Sequence, residues 1–514
     1  MTSAPENGSL PTVTPRTILR AGDVVTQPGW PADRHVRSVH VVRIGGAGMS
    51  AVARLALESG LTVSGSDSQD GQFIAPLRAC GARIGIGFDA DLLAADLDLV
   101  IVSTAVRADN PEVIAARERG IPVIHRAAAL AGLLSGHDLI AVAGTHGKTT
   151  TTGMAVAALR GAGHDPAWAL GAAVPDLGRN AGLGEESPAP SGPLDASAAT
   201  GLAVVEADES DGSFLAFAPR SLVVTNLEPD HLDFHGDAAH LTAAFEALTA
   251  QLGSGGTLVV CADDPGARAL GQRAAESGLA VVRYGTGEDA QWALRQERSG
   301  PRGAEVEIDT PRGELTAQLS VTGHHNVLNA LGALAATAAA VPEAELAALA
   351  AGLGTFTGAS RRFDVAGTAG GVTVVDDYAH HPREVAATVA AARGIVAAQS
   401  APGRGRVLVA FQPHLFSRTR DFAVDFAAAL SAADLAWVLP VYAAREDPDP
   451  TVDARTITEL AAAPVEPVTG AEDLLGRVLA AARPGDLLLM LGAGDIVEIT
   501  PELMAALDSV REHP

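Results

Sequence analysis

Gly144-Thr-His-Gly-Lys-Thr149 follows the apolar run Leu139–Ala143 and opens a Thr-rich segment that includes Thr150. This is the strand–loop–helix context in which a glycine-rich loop wraps phosphates. Glycines let backbone N–H groups turn toward the anion, and the following helix adds the positive end of its dipole. In such a loop Lys148 reaches the β- and γ-phosphates and the Thr149 hydroxyl ligates Mg²⁺. The loop is a short form, because Val142 occupies the position six before the lysine where the usual signature has glycine. Lys148 is also the single lysine of the chain; every other one of the 36 basic residues is arginine. A compact ammonium and a planar guanidinium are not interchangeable among phosphates.

Other chemistry-bearing residues also follow apolar runs. Val204-Val-Glu206 leads into Asp208-Glu209-Ser-Asp211, and Thr225-Asn-Leu-Glu228-Pro-Asp230-His231 repeats the pattern. At the C-terminal edge of a parallel sheet, beside a phosphate loop, such carboxylates are placed to ligate Mg²⁺. Spacing alone does not separate Mg²⁺ from Zn²⁺, but hydroxyl and carboxylate partners without cysteine favour a hard cation. Gly45-Gly-Ala-Gly48, with Asp67 about 20 residues on, suits a dinucleotide or a diphosphate at a helix N-terminus. Arg43 stands where the full dinucleotide fingerprint has a further glycine. Near the C-terminus, Asp376-Asp377-Tyr-Ala-His380-His381-Pro382, Phe411-Gln-Pro-His414 and Ser417-Arg418-Thr-Arg420 also follow apolar runs. Paired arginines suit a carboxylate or phosphate. These residues leave three readings open: a phosphate-transferring enzyme, an NAD-dependent oxidoreductase that leaves Lys148 unexplained, and a nucleotide-binding switch without turnover.

The elements that must position these residues alternate strand and helix. The pattern predicts strands at Val39–Ile44, Leu61–Ser64, Leu99–Ser103 and Pro122–Ile124, with a helix over Met49–Ser59 ended by Gly60. A second series has strands at Leu139–Ala143, Leu202–Val205 and Ser221–Thr225. It closes with an Ala-rich helix beyond Thr322, broken near Pro342 and resumed to Gly352. A third has strands at Val372–Val375, Val407–Ala410, Leu435–Leu439 and Asp486–Leu491. At about 150 residues per domain, 514 residues fit three α/β domains. Residues 1–36 read as a disordered tail, and 182–201, which contain Glu185-Glu-Ser-Pro-Ala-Pro190, as a disordered loop.

Composition narrows the class. A net charge of −25 opposes a general nucleic-acid or acidic-membrane binder, and 47% apolar residues exclude wholesale disorder. Cys80 and Cys261 are too few for a disulfide framework, which fits a reducing compartment. No apolar stretch suits a signal peptide or a membrane span, so a cytoplasmic location is expected.

The ordered set Gly45-Gly-Ala-Gly-Met49, Gly144–Thr150, Glu206–Asp211, Glu228–His231, Gly323-His-His-Asn326 with Asn329, Arg361-Arg-Phe-Asp364, Asp376–Pro382 and Ser417-Arg-Thr419 resembles the Mur ligases. The resemblance runs through residues 37–500. It implies a Rossmann-like UDP-sugar-binding domain over 37–127, a central P-loop ATPase-type α/β domain over 128–360, and a C-terminal Rossmann-like domain over 361–514. The implied activity is ATP-dependent ligation of L-alanine to UDP-N-acetylmuramate through an acyl phosphate. It further implies catalytic roles for Lys148, Glu206 and His231, and Mg²⁺ on Thr149, Glu206 and His231. ATP would meet Gly144 to Thr150 (Gly144, Thr145, His146, Gly147, Lys148, Thr149 and Thr150), Asn326, Asn329, Arg362 and Asp377. The UDP-sugar would meet Gly45, Gly46, Ala47, Gly48, Met49, Ser66, Asp67, Ser103, Thr104, His125 and Arg126. His380, His414 and Arg418 would face the amino acid and the muramyl group. No nucleic-acid partner and no membrane insertion are expected, and a monomer or homodimer is the expected assembly.

Overall fold

A computed structural model describes residues 36–185, 201–253, 255–300, 303–359, 361–398, 405–444, 446–462 and 464–512. The tail expected over 1–36 therefore lies, up to residue 35, outside the described residues, as do positions 186–200 of the expected loop. The ends of that loop are sheet instead: Gly182 closes the strand Arg179–Gly182 and Gly201 opens the strand Gly201–Glu206. The chain divides into two compact units between Leu133 and Leu134.

In the first unit five parallel strands lie in the order Arg83–Ile86, Thr62–Asp67, Ser38–Val42, Leu99–Val102 and Val123–His125. Val39, Val41, Val42 and Leu99 to Val102 are fully buried, as expected for strands covered on both faces. The strand order reverses between Ser38–Val42 and Leu99–Val102, and ligands bind outside the carboxyl ends of strands at such a switch point. Several boundaries shift from the sequence reading, among them the second strand, which runs to Asp67 and not to Ser64. The first strand stops at Val42 and its helix starts at Ala47, so the turn is Arg43 to Gly46, and Ala47, Gly48 and Met49 form the first helical turn. The helix Arg126–Leu133 carries the first unit past the boundary expected at 127/128, because Ala127, Ala128, Ala129 and Leu130 are buried in it.

The second unit holds two sheets. The ten-stranded sheet has a parallel centre, with Thr257–Cys261, Ser221–Val224, His137–Ala143 and Gly201–Glu206 side by side. Its far edge is an antiparallel meander, Trp292–Gly300, Gly303–Thr310 and Gly313–Leu319. The sequence reading leaves that meander out, although buried Ala304, Val306 and Ile308 alternate with polar neighbours at the strand period of two. The six-stranded sheet runs Asp364–Ala369, Val372–Asp377, Leu487–Leu491, Val407–Phe411, Leu435–Val438 and Val465–Pro467. Both parallel centres end in the polar segments singled out from sequence. No described helix is long and apolar enough to cross a membrane.

Candidate active site

The phosphate loop leaves the buried strand His137–Ala143 and enters the helix Lys148–Gly161. Val142 pairs in register with Glu206 inside the sheet, which is why the loop cannot begin there and is short. Two glycines are obligatory. Gly144 (φ +132°) brings its backbone so close to Thr225 that a Cβ would lie 2.1 Å from Oγ1, and at Gly147 (φ +82°) a Cβ would lie 2.5 Å from Asn329 Oδ1. The loop is tied to the next strand end: Asn226 Oδ1 accepts from His146 N at 2.8 Å, and the Thr225 hydroxyl donates to His146 O at 2.6 Å. Lys148 Nζ donates to Gly144 O at 2.7 Å and to Glu209 Oε1 at 3.0 Å. Burial acts to lower the Lys148 pKa, but Glu209, Asp208 and Glu206 outweigh it and hold the ammonium charged above its ordinary value. Burial pushes the Glu209 carboxyl up to about 7 despite Lys148.

At the neighbouring strand ends, Thr149 Oγ1 donates to Glu206 Oε2 at 2.8 Å, and the same oxygen accepts from Gly171 N at 2.7 Å. His231 adopts a left-handed backbone (φ +52°), held by its own N–H on Asp230 Oδ1 at 2.8 Å. Its Nε2 stands 3.6 Å from Asp230 and 3.9 Å from Glu209, while Nδ1 is buried without a hydrogen-bond partner among the described residues. Burial pushes the ring below its usual pKa, toward the neutral form that a metal ligand needs. Thr149 and Glu206 offer hard oxygens and His231 an unengaged nitrogen, a donor set that fits Mg²⁺ with further oxygens from phosphate and water.

A cavity of about 220 Å³ opens beside the loop. His146, Gly147, Thr149, Thr150, Asn326, Asn329, Arg362 and Asp377, all expected at the ATP site, line it together. Asn326 and Asn329 lie one helical turn apart at the start of His324–Ala340, and Asn329 Nδ2 donates to Asn326 Oδ1 at 3.3 Å. Arg361 (φ +60°) and Phe363 (φ +49°) are both left-handed, fixed by Tyr378 N on Arg361 O at 2.7 Å and Phe363 N on Asp377 Oδ2 at 2.8 Å. This strained hinge aims Arg362, whose Nη1 lies 3.3 Å from Glu384 Oε1. Burial raises the Asp377 carboxyl to about 6 against Arg362.

The third group is differently disposed. The His380 and His414 rings meet edge-on at 5.8 Å, and His414 stacks on Tyr442. Arg418, expected to face substrate, instead donates from Nη2 to Asp230 Oδ1 at 2.9 Å with both side chains buried.

In the first unit, Gly45 N donates to Asp67 Oδ2 at 2.8 Å, Ser103 directly follows the strand Leu99–Val102, and His125 ends the strand Val123–His125. Thr104 follows Ser103, and Arg126 lies over Gly48, where a Cβ would come 2.5 Å from Nη1. Ser66 lies beside Asp67 at that edge, but its buried hydroxyl is turned away and donates to Glu112 Oε2 at 2.7 Å. Arg43 has φ +59°, the conformation for which the missing fingerprint glycine would be suited.

Residues 38–138 match the Mur ligase family catalytic domain, 142–337 the Mur ligase middle domain, and 361–494 the Mur ligase glutamate ligase domain. The UDP-N-acetylmuramate–L-alanine ligase of Paenarthrobacter aurescens is 46% identical over 474 residues, covering 91% of this chain and 97% of that protein. The chain belongs to the Mur ligase family. The enzyme of the same name from Mycolicibacterium vanbaalenii is 45% identical over 498 residues, covering 94% of this Mur ligase and all of that protein (100%). Among solved structures, the UDP-N-acetylmuramate–alanine ligase MurC of Thermotoga maritima superposes with a TM-score of 0.73 at 28% identity, covering 92% of this chain and 99% of that one.

Sequence reasoning passes over a residue that links the two sheets of this Mur ligase. Glu384 Oε1 faces both His146 Nδ1 and Arg362 Nη1 at 3.3 Å, and its Oε2 accepts from the backbone N–H of His380 at 2.9 Å and of His381 at 3.2 Å. Burial would raise its pKa, but His380, His146 and Arg362 hold it well below the carboxylate range. The signal was present: a glutamate two residues into a helix opened by Pro382 is an N-terminal capping position. Arg383, paired with Glu228 across the same gap, carried no such signal.

Proposed function

We propose that this Mur ligase joins L-alanine to the lactoyl carboxylate of UDP-N-acetylmuramate, with ATP and Mg²⁺, in the cytoplasm, as a monomer or homodimer. The observation that carries the reading is the cavity walled at once by the phosphate loop, by Asn326 and Asn329, and by Arg362 and Asp377. The names of the relatives supply the substrates.

The carboxylate oxygen of the sugar nucleotide attacks the γ-phosphorus, the bond to ADP breaks, and an acyl phosphate forms. The amine of L-alanine then attacks the acyl carbon; inorganic phosphate leaves and the new amide loses the extra amine proton. Most of the protein's work in phosphoryl transfer is positioning and charge neutralisation. Lys148 exchanges Glu209 and the loop carbonyls for phosphate oxygens, bringing a fixed positive charge to the transferring group. Thr149, Glu206 and His231 are the residues that hold Mg²⁺, which when bound withdraws charge from the phosphoryl oxygens. Arg418–Asp230, Arg383–Glu228 and His146–Glu384 fasten the six-stranded sheet's loops onto the phosphate-loop side and exclude water, which would otherwise hydrolyse the acyl phosphate. The first unit binds the UDP moiety through the turn before Ala47–Glu58 and through Asp67.

Phosphate release from ATP, measured with purified chain, Mg²⁺ and UDP-N-acetylmuramate across a panel of amino acids, tests the reading. Sustained release is expected only when sugar nucleotide and L-alanine are both present. Release that ignores the sugar nucleotide, or that prefers another amino acid, overturns it.

A further inference from the structure

A second cluster of metal-ligating side chains lies beside the nucleotide cavity, distinct from Thr149, Glu206 and His231. His146 comes from the phosphate loop, Glu228 from the segment after the strand Ser221–Val224, and His381 from the turn before the helix Pro382–Ala398. One ligand atom from each lies within 4.8 Å of the other two. A tetrahedral ion with bonds of about 2.0–2.1 Å needs ligand atoms about 3.3 Å apart, so closure asks for movements on the order of 1 Å.

The hydrogen bonding favours a ligand set over a packed core. His381 is 4% exposed, yet neither ring nitrogen has a hydrogen-bond partner among the described residues. His146 Nε2 is likewise buried and unpartnered, 3.9 Å from Glu228 Oε2. Glu384 Oε1, 3.3 Å from His146 Nδ1, assigns the proton to that nitrogen and turns the Nε2 lone pair to the cluster. A carboxylate behind a histidine in this way is the arrangement that orients a metal-binding imidazole. Arg383 pairs with the other oxygen of Glu228, fixing the carboxylate while leaving Oε2 facing His146. The rings of His146 and His381 lie 4.8 Å apart, and Phe422 packs edge-on against His381 at 5.1 Å, so the pocket is shaped and dry on that side.

We propose that His146, Glu228 and His381 form a site for a transition-metal dication of the Zn²⁺ class, which fastens the phosphate loop to the turn ahead of Pro382–Ala398. Two imidazoles and one carboxylate select Zn²⁺ or Co²⁺ over Mg²⁺, which prefers oxygen ligands and retains its water. The fourth position is open to water or to a phosphate oxygen in the adjoining cavity.

The test is titration of the full-length chain with Zn²⁺, and with Co²⁺ followed by visible absorption, with Mg²⁺ in large excess throughout. One ion per chain is expected, with the intense d–d bands of low-coordinate Co²⁺. His381→Ala is expected to lower Zn²⁺ affinity by at least ~100-fold and Glu384→Gln by about 10-fold, whereas Glu206→Ala leaves it within a few-fold of the parent. Circular dichroism and melting establish that each variant is folded; if His381→Ala is not, His381→Gln is measured in its place. No saturable Zn²⁺ under excess Mg²⁺ overturns the site. So does loss of Zn²⁺ in Glu206→Ala with retention in the folded His381 variant, which would place the ion among Thr149, Glu206 and His231.

Discussion

Arg418 Nη2 lies 2.9 Å from Asp230 Oδ1 with both side chains almost wholly buried, and Asp230 is the residue whose carboxylate also accepts from His231 N. Burial would raise the Asp230 pKa, but His231 and Arg418 hold it far below the carboxylate range. A guanidinium on the six-stranded sheet's side thus stabilises the backbone that presents a candidate metal ligand on the other. Arg418→Ala leaves a buried carboxylate unpaired, which costs about 3–5 kcal/mol. Urea unfolding should show that loss, together with slowed turnover. A destabilisation below ~1 kcal/mol would mean that the pair is solvated in solution and does not set the His231 backbone.

Lys148→Arg keeps the charge and changes only its shape. The ammonium is enclosed by Gly144 O, Thr145 O and Glu209, a site that three donors on one atom fill and a planar fork does not. Turnover should fall at least ~10²-fold in the folded variant. Near-parent kcat would remove Lys148 from the phosphate site.

Glu206→Ala and His231→Ala are expected to leave the fold and UDP-N-acetylmuramate binding largely intact while nearly abolishing acyl phosphate formation. Hydroxylamine traps that intermediate as a hydroxamate even without L-alanine, so the first half-reaction can be read alone. Hydroxamate formed at the parent rate by either variant would exclude that residue as a ligand of the catalytic metal.

Burial lowers the His380 pKa to about 3, outweighing the neighbouring Glu384 carboxylate. Its folded-state value lies below the ordinary 6.5, so the unfolded chain binds the extra proton as the medium turns acid. The neutral ring's contribution to stability is complete above about pH 6.5 and is lost as pH falls from there toward 3. Unfolding of the parent and of His380→Asn, compared at a series of pH values, should give a difference that shifts in the variant's favour across that window. A pH-independent difference would show that the ring titrates normally in the folded chain.

Much of this was legible in the chain itself, for a local reason. Loop glycines with positive φ, a lysine between glycine and threonine, and carboxylates directly after apolar runs are short-range patterns. Parallel strands then bring those run ends to one edge, whatever the details of packing. Asn326, Asn329, Arg362 and Asp377 line one cavity with the phosphate loop. What the chain did not disclose depends on partners far apart in sequence. Arg418 meets Asp230 across 188 residues and Arg383 meets Glu228 across 155, and nothing in either segment names its partner. Ser66 alternates with Asp67 on a strand, and only the packing of Glu112 decides that its buried hydroxyl is turned away from that edge. Composition and spacing fixed which groups could meet phosphate and metal. Tertiary packing decided which of them remain open to a ligand and which are held by one another, because burial makes an unpaired charge too costly to leave and draws each to its nearest opposite.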